Sequence, residues 1–217
     1  MIFVYKIIFI YKYLALKIKI GYNIYVNYFY FFIIKIMAKY LSEECDSIIK
    51  SEKGVWYIIP IKRLRETTSV EFDAFPLFRE INGIDIVRHE PGARSPSLPD
   101  GDSDVWYMHP GQEDNLITLC GNRTVELYNQ NTKKIEEFKV SHEQIELNGE
   151  LIHKWPAILG WNEGIFHRNH SPEWSVSQNF AVRDEKFNID TEFNIYKLDI
   201  ESWEYEVARV WKLDQPK

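Results

Sequence analysis

From residue 105 onward, apolar and polar positions alternate with a period of two, or gather into short apolar runs closed by turn residues. Segments 105–109, 115–120, 124–128, 135–140, 155–161, 165–167, 175–182, 193–198 and 205–210 carry this pattern, that of half-buried strands in antiparallel sheets. Gly121-Asn122 reads as a tight hairpin link between two of them, and the stretch from Asn129 to Thr132 as the next turn. A helical look is confined to 42–53, where Ser42, Glu43 and Glu44 form an N-terminal signal ahead of Ile48 and Ile49. Segment 90–102 holds three prolines and two glycines and reads as an irregular connection. The expectation is a mainly β chain: an antiparallel β-barrel or double-sheet jelly roll with a short N-terminal helical region. Closure, or packing of sheet on sheet, protects the strand edges.

The first 36 residues stand apart. They contain no Asp or Glu, five lysines (Lys6, Lys12, Lys17, Lys19, Lys35), and otherwise almost only Ile, Phe, Tyr, Asn, Leu and Val. The longest uncharged stretch, 20–34, is shorter than the roughly 20 apolar residues of a membrane span and contains Asn23 and Asn27. Interrupting lysines leave neither a secretory apolar core nor a small-residue cleavage site. Such a composition follows from AT-rich codons, so 1–36 reads as an extension upstream of a start at Met37, with a membrane-associated segment as the alternative. Residues 37–217 then form a single domain whose barrel core lies at about 80–200.

Without that segment Lys plus Arg falls from 26 to 21 against 32 Asp plus Glu, and the net charge moves from −6 to −11. An acidic domain whose basic runs are as short as Lys62-Arg63 and Lys133-Lys134 does not suit a phosphate backbone, so no nucleic-acid partner is expected. A membrane partner is expected only if 1–36 belong to the protein. Cys45 and Cys120 show no paired spacing, which suggests free thiols in a reducing, cytoplasmic setting. Cys120, in an apolar strand, reads as a small core residue.

The chemistry concentrates in Tyr107-Met-His109-Pro-Gly-Gln-Glu113-Asp114, followed after six residues by Gly121, and in Gly164-Ile-Phe-His167. Pro110-Gly111 suits the middle of a turn. His109 would end one strand and Asp114 open the next, facing each other across a hairpin at about 5 Å between Cβ atoms. Tyr107, two residues before His109, shares its face. His167 would come from a third strand. Two imidazoles and a carboxylate form a ligand set for one divalent transition metal: Fe first, with Mn, Ni or Zn as alternatives. The plainer reading is that His109 caps a strand and Asp114 stabilises the turn. Trp106, Thr118, Ser177 and Asn179 are expected to line a pocket for a small-molecule ligand, Ser177 and Asn179 from the inward face of an alternating strand that also includes Ser175. His89, His142, His153 and His170 read as surface groups.

In these two stretches the chain resembles the cupin superfamily. The first cupin motif has two histidines one residue apart, a glutamate after three or four residues, and a glycine after six more; the second ends in glycine, two residues and histidine. Here Tyr107 stands at the first histidine, His109 at the second, Asp114 at the glutamate, and Asn162 where the second motif has proline. The resemblance covers roughly residues 80–200. It implies a small cupin-like β-barrel, commonly with a metal in its mouth and often paired with a second copy through its outer sheets. The ligands it implies are His109, Asp114 and His167, with Glu113 as the carboxylate if the strand bulges and Tyr107 as an accessory.

Three functions are open on this basis. The leading one is a metal-dependent small-molecule enzyme, dioxygenase-like, with substrate and O₂ at the metal. The first alternative is a non-catalytic ligand-binding or sensor protein without tight metal binding. The second is a metal-free sugar isomerase or epimerase using His109 and Tyr107 as base and acid.

Overall fold

The computed structural model describes residues 48–50, 54–75, 81–129 and 131–214. Among these the chain is almost entirely β-structure, and a terminal 3-10 turn at Trp211–Asp214 is the only helical element. In order come β1 (Ile49–Lys50), β2 (Trp56–Pro60), β3 (Lys62–Glu66), β4 (Glu71–Ala74), β5 (Gly83–His89) and β6 (Arg94–Ser95). Next are β7 (Trp106–Tyr107), β8 (Gln112–Cys120), β9 (Arg123–Asn129), β10 (Lys134–Val140), β11 (Gln144–Leu147) and β12 (Glu150–Lys154). The last are β13 (Ala157–Trp161), β14 (Phe166–His170), β15 (Ser175–Arg183), β16 (Ile195–Leu198) and β17 (Tyr205–Arg209).

They form two antiparallel sheets. One runs β1-β2-β13-β8-β15-β5; the other runs β12-β11-β10-β9-β14-β7-β16-β17, with β6 added beside β14, while β3 and β4 pair separately. Trp56, Ile58, Leu116, Leu159 and Trp161 of the first sheet meet Val125, Leu127, Phe138, Val140 and Ile145 of the second in one buried cluster. That is the expected cupin-like sandwich. Burial of each large apolar side chain here contributes about 1.5–3 kcal/mol, and the non-directional contact leaves strand alternation to decide which residues face inward.

Several expectations need correction. The helical look of 42–53 falls mostly outside the described residues, and within it Ile49–Lys50 is a strand paired with Tyr57 and Ile58. The β-propensity of Ile49 and the available edge of β2 outweigh a capping signal with no apolar stripe behind it. The sheets also draw in strands beyond residues 80–200, at 49–50, 56–60 and 205–209.

Neither glycine turn flanking β8 makes a hairpin. Pro110-Gly111 leads from β7 in one sheet to β8 in the other, and Gly121-Asn122 leads from β8 back across to β9. Both are corners between layers. At Gly121 the backbone has a φ of +73°, and a side chain there would run into the Trp174 carbonyl and Ser175. Cys120, at the end of β8, is exposed and free rather than core. His89, expected at the surface, is buried at the end of β5.

Trp106 is not a pocket wall. Alternation turns it to the outer side of its sheet, where it packs with Met108, Tyr128, Phe166 and Tyr196 under the Arg168 guanidinium, 4.2 Å from its ring. Its neighbour Tyr107 therefore faces inward, as does His109 two residues on.

β8 is buried on both faces over Gln112–Leu116, unlike an ordinary sandwich strand. The ring of Tyr57 on β2 lies across Gly160 of β13, and its hydroxyl reaches Glu113 and the Asn115 Oδ1 at 2.7 Å. A Cβ at residue 160 would fall against that ring. Gly160→Ala should therefore displace Tyr57 and destabilise the protein by about 1–3 kcal/mol. In a thermal melt the expected reading is a midpoint lower by about 3–10 °C; an unchanged midpoint would mean that Tyr57 is not held there.

Candidate functional site

His109, Asp114 and His167 meet between the two sheets. His109 comes from the corner after β7, Asp114 from the inward face of β8, and His167 from the inward face of β14, where it is paired with Tyr107 on one side and Leu127 on the other. All three are buried. Asp114 Oδ2 lies 3.3 Å from His109 Nε2 and 3.7 Å from His167 Nε2, and the three candidate ligand atoms all fall within 4.8 Å of one another.

Hydrogen bonds around this trio fix which lone pairs face inward. His109 Nδ1 is 2.5 Å from the Glu192 carbonyl and His167 Nδ1 is 3.2 Å from the Ile165 carbonyl. A carbonyl only accepts, so each Nδ1 carries a proton and each ring turns its Nε2 toward Asp114; burial keeps the His167 ring uncharged. Asp114 Oδ1 accepts from Gln112 Nε2 at 2.8 Å and from Asn179 Nδ2 at 2.7 Å. Oδ2 is left to the imidazoles. The two Nε2 atoms and Oδ2 thus face one another, the donor set of a site that could hold a metal ion or a shared proton.

The turns hold the trio in register. The Gly164 amide donates to the His109 carbonyl at 2.8 Å, tying the turn before His167 to the other histidine, and φ at Gly164 is +76°. Glu192 Oε1 accepts from the Gly111 amide at 2.7 Å. The Gly111 carbonyl accepts from the Asp184 amide at 3.1 Å, and a side chain at 111 would collide with the backbone of Phe187. Segment 184–194 is therefore clamped over the His109 corner.

Aromatic rings wall the site. Tyr107 stacks on His109 with 6.2 Å between centroids and lies 5.9 Å from His167. Trp161 lies 5.1 Å from His167, and Phe193 is edge-on to His109 at 5.2 Å.

The other expected site residues divide. Asn179 reaches the trio, holding Asp114 with its amide nitrogen while its Oδ1 accepts the Asn115 amide at 2.7 Å. Glu113 points the opposite way, to Tyr57; with no bulge in β8 at this point, alternation brings Asp114 inward and excludes Glu113. Thr118 and Ser177 are buried and inward-facing, but they pair with each other further along the same strands. Gln112 was overlooked, although its place two residues before Asp114 is itself a signal that it shares that face. Glu192 carried no signal: it lies over eighty positions from His109 and acts partly through its backbone.

A broad depression lined by Asp102, Asp104, Lys197, Asp199, Trp203 and Tyr205 lies elsewhere. Within it Lys197 pairs with Asp102 at 3.1 Å, and Asp199 accepts from the Glu201 and Ser202 amides.

No family model and no curated protein matches the chain. Among solved structures, it is similar to QdtA, a sugar 3,4-ketoisomerase from Thermoanaerobacterium thermosaccharolyticum in complex with TDP: 10% identity, 61% of this chain and 82% of that one, TM-score 0.43. A dTDP sugar isomerase from Desulfovibrio desulfuricans gives 9% identity, 60% and 84% coverage, and a TM-score of 0.41. The capsular polysaccharide assembling protein CapF from Staphylococcus aureus gives 14% identity over 60% of this chain and 30% of that one, with a TM-score of 0.35. Likeness at this level does not bear on activity.

Burial, reinforced by the neighbouring His109, lowers the His167 pKa to about 4. In the unfolded chain the imidazole takes up a proton near pH 6.5. Between 6.5 and about 4 the unfolded state therefore binds more protons, so stability is full above 6.5 and lost as pH falls. A shift of this size corresponds to roughly 3 kcal/mol. His89, also lowered to about 4 by burial and then by Arg123, acts in the same direction. Urea midpoints of metal-free protein should fall from pH 7 to pH 4, and less steeply in His167→Gln. Equal slopes in the two proteins would contradict a neutral buried His167.

Proposed function

We propose that this chain binds one divalent transition metal through His109 Nε2, Asp114 Oδ2 and His167 Nε2 and uses it to transform a small molecule. The observation that supports this is the hydrogen-bonding of the trio: both Nδ1 protons point outward to carbonyls, Oδ1 is occupied by two amides, and the two Nε2 atoms and Oδ2 are left facing one another. Two histidines and one carboxylate suit Fe(II) best, with Mn, Ni and Zn as alternatives. Bound there, the metal supplies a Lewis acid with coordination positions open to substrate, and to O₂ if the chemistry is oxidative. The chain's own residues do the rest. The Glu192 and Ile165 carbonyls orient the imidazoles, Gln112 and Asn179 hold the carboxylate, and Tyr107, Trp161 and Phe193 exclude water around them. Cys120 as an exposed free thiol suits a reducing compartment, and no helix among the described residues is long and apolar enough to cross a membrane.

A second reading, metal-free sugar isomerisation, is favoured by one contact: Tyr107 and His109 stack with only 19° between their planes. An acid and a base would then sit on one wall, with a proton rather than a metal held between His109 and Asp114.

Elemental analysis of protein purified without a chelating tag separates the two. The metal reading expects near one equivalent of a transition metal, lost in His167→Ala and kept in Tyr107→Phe. Asn179→Ala should weaken metal affinity by about 10–100-fold, since it removes a hydrogen bond that orients a ligand. Failure to take up Fe(II), Mn(II), Ni(II) or Zn(II) on reconstitution would overturn the metal reading. Sugar isomerisation lost in Tyr107→Phe would then support the second.

A further inference from the structure

Along β8 and β15 the inward face carries a second polar cluster. The triad occupies the level of Asp114, which Asn179 reaches from its place opposite Leu116. Four residues further along β8, about 13 Å at the rise of a strand, Thr118 stands opposite Ser177, and Leu116 of the apolar core lies between the two levels. At the Thr118 level the first residue of β9, Arg123, turns inward. It is 1% exposed.

Every partner of this guanidinium is neutral. It donates to Ser177 Oγ, to Ser175 Oγ at 3.2 Å, to the Val87 carbonyl at 3.4 Å, and to His89 Nδ1 at 2.7 Å. His89 must then carry its own proton on Nε2, and its lowered pKa keeps it uncharged. No carboxylate among the described residues pairs with Arg123. Ser171 extends the hydroxyl chain, contacting Ser175 Oγ and donating to the Asn122 carbonyl at 3.0 Å. Two buried polar atoms in the cluster have no partner among the described residues, Arg123 Nε and Thr118 Oγ1. Both can donate.

A buried charge without a counter-ion is costly, and an apolar side chain of similar volume would fill this place at lower cost. Burial already pulls the Arg123 pKa down to about 10, showing how weakly the surroundings stabilise its charge. Charge-assisted hydrogen bonds to an anion would reverse that and take up both idle donors.

We propose that this cluster, with Arg123, Thr118, Ser175 and Ser177 around it, is a binding site for a small singly charged anion of carboxylate or halide size. It is separate from the triad and does not depend on whether the triad holds a metal. The anion completes the charge balance of the sandwich interior at the corner where Gly121-Asn122 crosses between the sheets.

The test is thermal melting of the full chain at constant ionic strength, with a bulky sulfonate replaced stepwise by chloride or by formate. A saturable rise of about 5 °C is expected in the parent protein, the size that mass action gives at some tens of times the dissociation constant. Arg123→Met should melt no lower than the parent in sulfonate and show no rise. If Arg123→Met does not fold, Thr118→Val carries the test: it keeps the cation, removes one donor, and should need at least tenfold more anion. A rise with chloride and formate alike supports a general anion site, and a rise with formate alone supports a carboxylate site. No saturable rise in the parent, or an equal rise in the variants, overturns the proposal.

Discussion

The site depends on one constraint: a carboxylate placed between two sheets must have both oxygens satisfied. Asp114 sits where an ordinary sandwich strand would put a leucine, as Leu116 does two residues later. Its Oδ1 is held by Gln112 on its own strand and Asn179 on the next, and its Oδ2 faces two imidazoles. An uncompensated carboxylate in that position would cost several kcal/mol. The two sheets, the Glu192 carbonyl and the Gly164 turn are all arranged so that it is not uncompensated. The ring orientations follow from the same constraint, because the carbonyls behind both rings hold a proton on each Nδ1 and turn each Nε2 toward Asp114.

Much of this was legible in the sequence, because alternation of period two is a local signal. The inward set Ser175, Ser177 and Asn179 could be read from the pattern of β15 alone, and Tyr107 and His109 share a face simply because they are two residues apart. The grouping of His109, Asp114 and His167 followed from spacing around turn residues. Trp106 was misassigned because the phase of its strand is not a local property: nothing in the sequence says which face of a two-residue strand looks toward the other sheet. Cys120 and His89 failed at strand ends, where burial depends on how far the facing sheet extends rather than on the strand's own pattern. Two strands of the first sheet, β2 and β5, were missed for a related reason. β2 is nearly all apolar and so lacks alternation, and β5 shows its outer isoleucines, Ile84 and Ile86, to solvent.

The mistaken hairpins are more instructive. A glycine turn between two apolar segments has the same local signature whether the chain folds back within a sheet or crosses to the opposite one. What decides is non-local. β13 and β15 flank β8 on both sides in its own sheet, so neither β7 nor β9 can pair there. Both are displaced into the second sheet. The consequence for chemistry is direct: in a hairpin His109 and Asp114 would be neighbours on one surface, exposed or buried together. Because the turn is a corner, they approach from different layers, and the space between them is the interior itself.

That geometry also explains why polar groups gather at two levels of the same strands. Each end of β8 is a corner, and at each corner the chain emerges into the opposite layer while still near the interior. His109 precedes the first corner; Arg123 follows the second. His109 is tied by a turn hydrogen bond from the Gly164 amide, and Arg123 opens β9 opposite Val140, so each sends a long polar side chain inward from a strand end. On β8 Leu116 lies between the two polar levels and joins Leu127 and Leu159 in the burial that holds the sheets together, while on β15 Asn179 stands beside it. A single strand with a corner at each end, held between β13 and β15, thus places one acidic and one basic cluster inside the same sandwich without bringing them into contact.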